Sequence, residues 1–112
     1  EARLSPDDSM AKGVEHLAHH RGIAMVVQDG RLLGVITAGD LSRLAEREPS
    51  YLGLAVGAVM NPSPKTVGAD ELAAVAVGMM ERHGIMALPV MGADEELIGV
   101  VHLHDLMRAG AI

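Results

Sequence analysis

The chain has 112 residues, of which 49% are hydrophobic, with one Tyr, no Phe or Trp, eight Met and no Cys, so one compact domain or two half-sized units must form around an aliphatic core. The net charge of −6 argues against a nucleic-acid partner, because phosphate backbones are bound by clustered Lys and Arg. Without Cys there are no disulfides or thiolate zinc sites, and no apolar run reaches the roughly 18 residues typical of a membrane span, so we expect a cytoplasmic protein that does not contact membranes.

The first half predicts a helix over residues 8–20, strands over 23–27 and 32–37, and a helix over 39–46. The opening EARLSPDD leaves room only for the end of a preceding strand, which suggests a piece of a longer protein. The stretch REPSYLGLAVGA over 47–58, which contains the linker, follows. Beyond it, Asn61, Pro62 and Pro64 predict an extended segment.

The second half predicts a helix capped by Asp70 and ended by Gly84. Its apolar face is predicted from residues at helical spacing, namely Leu72, Val75, Ala76, Met79 and His83. Short apolar runs over 85–90 and 97–103 predict buried strands, and HDLMRAG predicts a closing helix.

The two halves are copies of one pattern. GVITAGDL (34–41) returns as GVVHLHDL (99–106), which aligns Asp40 with Asp105 at an offset of 65. Earlier residues align at an offset of 62, so three residues are inserted in the turn between the two strands, where insertions are tolerated. We expect a first unit over 1–48, a linker over 49–57 and a second unit over 58–112.

The end of the first strand pair carries candidate chemistry. Thr37 and the N–H groups of Ala38, Gly39 and Asp40 are expected to face one spot that suits a phosphate. Gly39 allows close approach to the backbone, and the Asp40 carboxylate can accept hydrogen bonds from both hydroxyls of a ribose. The alternative is a capping box, in which Thr37 and Asp40 satisfy the helix start themselves.

The full pattern resembles a CBS domain pair, also called a Bateman module, with MNPSPKTV, IMALPV and GVITAGDL as the matching segments. The resemblance implies a mixed α/β (α+β) fold of two tandem units, packed sheet to sheet with pseudo-two-fold symmetry. It also implies ligands, commonly adenine nucleotides, in the clefts between units, and assembly into homodimers or higher oligomers. HLHDLMRAGAI and GDLSR are similar to the C-terminal CBS pair of bacterial arabinose 5-phosphate isomerases, which implies an upstream sugar isomerase domain.

The resemblance and the junction chemistry together predict a ligand site from the following residues: Thr37, Gly39, Asp40, Met60, Pro64, Lys65, Thr66, Met86, Leu88, His102 and Asp105. For several of them a structural role is the competing interpretation. Lys65 suits a solvated loop, and Met60, Met86 and Leu88 suit a core. Arg43 and Arg108 could meet phosphate or lie in solvent.

His102 replaces the Thr at the equivalent position of the second copy. Because His is a poor helix cap, we expect two unequal sites, or one ligand that contacts groups from both copies. Metal binding by His102 and His104 with Asp105, or by the helical set His16, His19 and His20, would need a third or fourth ligand that converges on the same point. We therefore predict no metal site.

The leading hypothesis is a regulatory module that needs no cofactor and senses a nucleotide or nucleotide-sugar. Through the isomerase resemblance, CMP-Kdo, the activated end product of the Kdo branch of lipopolysaccharide synthesis, is the favoured ligand, followed by AMP or ATP. The alternative is a purely structural oligomerisation module. The chain contains no nucleophile set, paired-acid motif or phosphate-binding glycine loop, which argues against an independent enzyme.

Overall fold

The computed structural model describes residues 3–110. By packing, the chain divides into a unit that ends at Pro64 and a unit that begins at Lys65. Each contains one three-stranded sheet with helices, so the predicted mixed α/β pattern, present twice, is confirmed. Within residues 3–110, no helix is both long enough and apolar enough to span a bilayer.

Unit 1 follows the predicted order. Its elements are β1 (Arg3–Leu4), α1 (Met10–His19), β2 (Ile23–Gln28), β3 (Arg31–Thr37) and α2 (Ala38–Arg47). The central strand β2 pairs parallel to β1 and antiparallel to β3. The hairpin β2–β3 turns through Asp29 and Gly30, both at positive φ (53° and 77°), as a two-residue turn that matches the twist of the strands requires.

The linker is ordered and packs with unit 1. It contains a 3₁₀ turn (Tyr51–Gly53) and the short helix α3 (Val56–Val59). Its backbone is joined to the loop before α1, where Val56 N donates to Asp8 O at 2.8 Å. Further along, Val35 and Asn61 exchange two backbone hydrogen bonds of 3.1 and 2.9 Å. The extended segment therefore starts as an added edge contact on β3.

Unit 2 repeats the order. Its elements are β4 (Val67–Gly68), α4 (Ala73–His83), β5 (Ala87–Met91), β6 (Leu97–His102) and α5 (Leu103–Arg108). The strands pair as in unit 1, with β5 central. Val26 pairs with Gly34 in unit 1 and Val90 pairs with Gly99 in unit 2, so the connection between the two strands is one residue longer in unit 2. The prediction that all three inserted residues lie in this turn is therefore wrong.

Both cores are aliphatic. Unit 1 buries eight residues in one cluster: Leu4, Met10, Leu17, Ala24, Val26, Ile36, Leu44 and Val56. Unit 2 buries a smaller cluster: Val67, Ala76, Met80 and Leu88. Tyr51 packs against the unit 1 core. Methionine therefore supplies large buried side chains that an aromatic residue would supply elsewhere.

Two predictions for α4 are wrong. The helix begins at Ala73 with Leu72 in the N-cap position, rather than being capped by Asp70, and Glu71 accepts the Gly68 N–H at 2.9 Å. Leu72 is 74% exposed and Val75 is 42% exposed, because the buried face is formed instead by Ala76, Val77 and Met80. His83 is also exposed. The end of the helix is as predicted, with Gly84 left-handed at φ 65°.

Helix α1 begins two residues later than predicted, because Ser9 caps it by accepting the Lys12 N–H. Asp8 lies just before the helix, where its Oδ2 accepts the Ser5 N–H at 2.7 Å and its Oδ1 pairs with Lys12 at 3.3 Å. The hydrogen bond from Ser5 and the nearby Lys12 ammonium lower the pKa of the Asp8 carboxyl, against a smaller opposing effect of burial.

Candidate functional site: the strand-to-helix junctions

In unit 1, β3 ends at Thr37 and α2 begins at the next residue. Thr37 Oγ1 accepts the Asp40 N–H at 3.2 Å, and Asp40 Oδ2 accepts the Thr37 N–H at 3.1 Å. The capping box that the sequence allowed is therefore present. It leaves the Thr37 hydroxyl with its own O–H to donate, and it leaves the Asp40 carboxylate with further acceptor positions.

The expectation of three available N–H groups at this junction is wrong for two of them. Ala38 N donates to Gly22 O at 2.9 Å, and Asp40 N donates to Thr37. Gly22 makes the first bond possible because its φ of +78° turns the chain just before β2. An anion at this junction would thus be held by side chains and the Gly39 N–H rather than by a row of three backbone donors.

A third side chain joins the unit 1 junction. Arg43, one turn into α2, places Nη2 at 2.6 Å from Asp40 Oδ1. Its guanidinium lies over Gly39, since a Cβ added to Gly39 would be 3.5 Å from Arg43 Nη1 and 3.8 Å from Thr37 Oγ1. The junction therefore combines a hydroxyl, a carboxylate and a guanidinium around one residue that has no side chain.

The unit 2 junction has the same backbone and different chemistry. His102 ends β6 and takes the N-cap position of α5, where its side chain makes no capping hydrogen bond. Leu103 N donates to Met86 O at 2.8 Å, in the manner of Ala38 in unit 1. Asp105 forms an ion pair with Arg108. The prediction that the histidine does not act as a cap is confirmed.

The two arginines at the junctions were not among the predicted site residues. Arg43 and Arg108 each pair with the aspartate three residues earlier, and both pairs lie at matching positions of the repeat. The signal was available, because DLSR and DLMR carry Asp and Arg at a spacing of three, which places them on one helix face.

The remaining predicted site residues differ in exposure. Within unit 1, Met60 is half-buried against the core and Pro64 is half-buried. Within unit 2, Lys65 is exposed, Thr66 is half-buried and Met86 is 51% exposed. Leu88 is fully buried in the core, so in this structure it supports the sheet. A ligand role for these residues stays a prediction.

The histidines do not build a metal centre in the described part of the chain: over residues 3–110, no three His, Cys, Asp or Glu side chains converge to hold an ion. The rings of His16 and His20 lie 5.8 Å apart, and His19 is exposed. His104 is exposed on α5, whereas His102 is half-buried at the end of β6.

Comparison with known proteins agrees with this geometry. Two arabinose 5-phosphate isomerases KdsD are similar to the chain. The one from Pseudomonas aeruginosa is 39% identical over 82% of this chain and 29% of its own length, and the one from Francisella tularensis is 31% identical over 94% and 32%. The chain thus spans about a third of these relatives. A solved CBS domain protein from Pyrobaculum aerophilum, complexed with AMP, is 27% identical with a TM-score of 0.84, covering 94% of this chain and 82% of that one.

The CBS domain family matches residues 2–47 and 56–112, which is nearly the whole chain. Both matched stretches are CBS domains, so this chain contains a CBS pair and matches only part of the length of the isomerase relatives. The repeated order of strands and helices, the two strand-to-helix junctions and these matches lead to one conclusion: the chain belongs to the CBS domain family and contains a pair of its domains.

Proposed function

We propose that this chain is the nucleotide-sensing regulatory module of a cytoplasmic arabinose 5-phosphate isomerase, attached to an upstream sugar isomerase domain. The observation that carries the proposal is the unit 1 junction, where the Thr37 hydroxyl and the Asp40 carboxylate lie beside Gly39. A hydroxyl donor suits a phosphate, and a carboxylate suits the two hydroxyls of a ribose. The similarity to KdsD isomerases and to an AMP-bound CBS protein supports the same assignment.

The ligand we favour is CMP-Kdo, with an adenine nucleotide as the competing choice. CMP-Kdo combines a ribose diol, a phosphate and a carboxylate, and within unit 1 the diol could engage Asp40 and the phosphate could engage Thr37. As the activated end product of the branch that arabinose 5-phosphate feeds, it is a chemically reasonable feedback signal. AMP offers the same diol and phosphate, and it is the ligand of the Pyrobaculum aerophilum protein.

Thermal unfolding with CMP-Kdo, CMP, AMP and ATP in parallel tests the proposal. A ligand at a hundred times its dissociation constant stabilises the folded chain by about 2.7 kcal/mol, which corresponds to a shift of roughly 10 °C in a domain of this size. The Asp40→Ala variant should lose most of the shift. The Arg47→Ala variant is the matched control, because Arg47 is an exposed residue at the other end of the same helix.

If no nucleotide shifts the transition of the wild-type chain, the sensing role is wrong. If a nucleotide shifts it equally in wild type and Asp40→Ala, the module binds that nucleotide without the assigned carboxylate. A shift with CMP-Kdo alone would support feedback control, whereas a shift with AMP or ATP alone would support energy sensing.

A second function, assembly of the parent protein into dimers or higher oligomers, is favoured by exposed apolar side chains in unit 2. Leu72 and Val75 at the start of α4 and Met107 on α5 are 74%, 42% and 45% exposed, and the two helices contact each other. Sedimentation of the wild type and of a Leu72→Ser, Val75→Ser variant tests this role. A loss of self-association in the variant supports it, and a monomeric wild-type chain rules it out.

A further inference from the structure

The ion pair between Asp40 and Arg43 bears directly on the ligand site. Arg43 Nη2 lies 2.6 Å from Asp40 Oδ1, and the two side chains are 68% and 33% exposed. Exposed pairs of this kind add little to folding stability. The chain nevertheless contains the pair at the matching position of both repeats. Its effect on the chemistry of the carboxylate is therefore more informative than its effect on stability.

Both oxygens of the Asp40 carboxylate have partners. Oδ2 accepts the Thr37 N–H, and Oδ1 accepts the Arg43 guanidinium. The bond from Thr37 is part of the helix cap and must remain if α2 is to keep its start. The bond from Arg43 comes from a flexible, exposed side chain. A ribose diol that approaches Asp40 therefore has to share or displace Arg43, and Arg43 acts as a competitor for the diol.

A phosphate on the same ligand removes that competition. A point at the Cβ position of Gly39 lies 3.5 Å from Arg43 Nη1 and 3.8 Å from Thr37 Oγ1, so the guanidinium and the hydroxyl both lie beside the position that a side chain would occupy. One phosphate can bridge two such donors, because its oxygens accept hydrogen bonds of about 2.8 Å on opposite sides. Arg43 can therefore exchange a carboxylate for a phosphate without losing a charged partner.

The access of a phosphate to both donors depends on Gly39. Any side chain there would start 3.5 Å from the guanidinium and would extend into the volume that the phosphate needs. In unit 2 the equivalent residue is His104. The same Asp–Arg pair thus faces a different surrounding in each unit, and only unit 1 combines it with a Thr hydroxyl and a residue without a side chain.

We infer that Arg43 is a specificity-determining residue that makes the Thr37–Asp40 site select phosphorylated nucleosides over free nucleosides. Without ligand, Arg43 occupies Asp40 Oδ1. When a nucleotide binds, the guanidinium moves to the phosphate and the ribose diol binds the Asp40 carboxylate. A nucleoside must displace Arg43 without offering it another charged partner. The inference rests on the proposed nucleotide-sensing function and adds that the phosphate is the part of the ligand that the site recognises.

The test compares AMP with adenosine, and CMP with cytidine, by isothermal titration calorimetry on the wild type and on Arg43→Gln. Each pair differs only by the phosphate. Because a charge-assisted hydrogen bond to phosphate contributes more than a neutral one, we expect Arg43→Gln to reduce the nucleotide-to-nucleoside affinity ratio by about tenfold or more. Nucleotide affinity should fall, and nucleoside affinity should stay constant or rise.

Arg47→Gln is the matched control, because it removes the same charge from the same helix. It should leave the ratio unchanged, and circular dichroism should show that every variant keeps the wild-type fold. An unchanged ratio in Arg43→Gln, with nucleotide binding intact in the wild type, overturns this inference alone. If the wild-type chain binds neither AMP nor CMP, both the inference and the assignment of these nucleotides as ligands are overturned.

Discussion

Gly34 and Gly99 occupy the same position of the repeat, and we predict opposite outcomes when each is replaced by Ala. A Cβ at Gly34 would overlap the carbonyl oxygen of Asn61 and lie 2.8 Å from Met60 Sδ. A Cβ at Gly99 would meet no atom within 4 Å. The difference arises because the segment that follows the linker crosses β3 at Val35, directly beside Gly34.

The loss of folding stability in Gly34→Ala can be estimated from these contacts. Gly34→Ala forces a backbone shift, and overpacking of this kind costs about 1–3 kcal/mol. The two hydrogen bonds between Val35 and Asn61 are strained or lost as well, at about 1 kcal/mol each. We expect a total loss of roughly 3–5 kcal/mol. Gly99→Ala should instead stabilise the chain slightly, by about 0.5 kcal/mol, because Gly is unfavourable within a strand.

Thermal and urea unfolding, followed by circular dichroism, measure both variants under the same conditions. The melting temperature of Gly34→Ala should fall by about 10 °C or more, whereas that of Gly99→Ala should stay the same or rise. A neutral Gly34→Ala would show that the segment around Asn61 moves away from β3 at no cost. Equal losses in both variants would show that the strand itself, rather than the crossing segment, requires glycine.

Thr37→Ala should destabilise the chain by about 1 kcal/mol through loss of the capping box, and Thr37→Ser should restore most of it; an equal loss in both variants, measured by urea unfolding, would show that the cap is unimportant. Gly84→Ala should lose about 1 kcal/mol, because Gly84 is left-handed at φ 65°, and an unchanged melting temperature would contradict this. Since the pKa of Asp8 is lowered on folding, its charged form stabilises the fold above the unfolded pKa of about 3.9, and this contribution disappears as pH falls through the lower folded pKa. Asp8→Asn should therefore be less stable than the wild type at pH 7 and approach it in thermal scans as pH falls below the unfolded pKa; a constant difference across that range would refute this assignment.

The order of elements was predictable because each copy supplies strong local signals. Apolar strands are bounded by Gly and acidic residues, and Asp29 with Gly30 is a typical hairpin turn. Because the two copies align, the elements predicted for one half support those predicted for the other. The orientation of α4 was not predictable in this way, because α4 is rich in Ala and Val with few polar residues to mark the solvent side. Leu72 and Val75 fit the predicted apolar face as well as the buried residues do, although both are exposed.

The unit 1 junction was predicted only in part, because its local contacts follow from the sequence motif and its long-range contacts do not. The residues Thr37 and Asp40 could be read from the motif, and so could the capping box that joins them. The hydrogen bond from Ala38 to Gly22 could not, because it joins residues 16 positions apart through a turn at positive φ. The spacing of three predicts the pair of Asp40 and Arg43, but the position of the guanidinium beside Gly39 depends on a side-chain rotamer that no sequence pattern specifies.

The aliphatic cores determine how the folding of this chain can be observed. Tyr51 is the single residue with a phenol or indole ring, and it packs against the unit 1 core, so tyrosine fluorescence reports on that unit. Met25 is fully buried in unit 1 and Met80 is fully buried in unit 2. Their methyl resonances give each unit its own probe. Selective methionine labelling could therefore follow the melting of each unit separately within one sample.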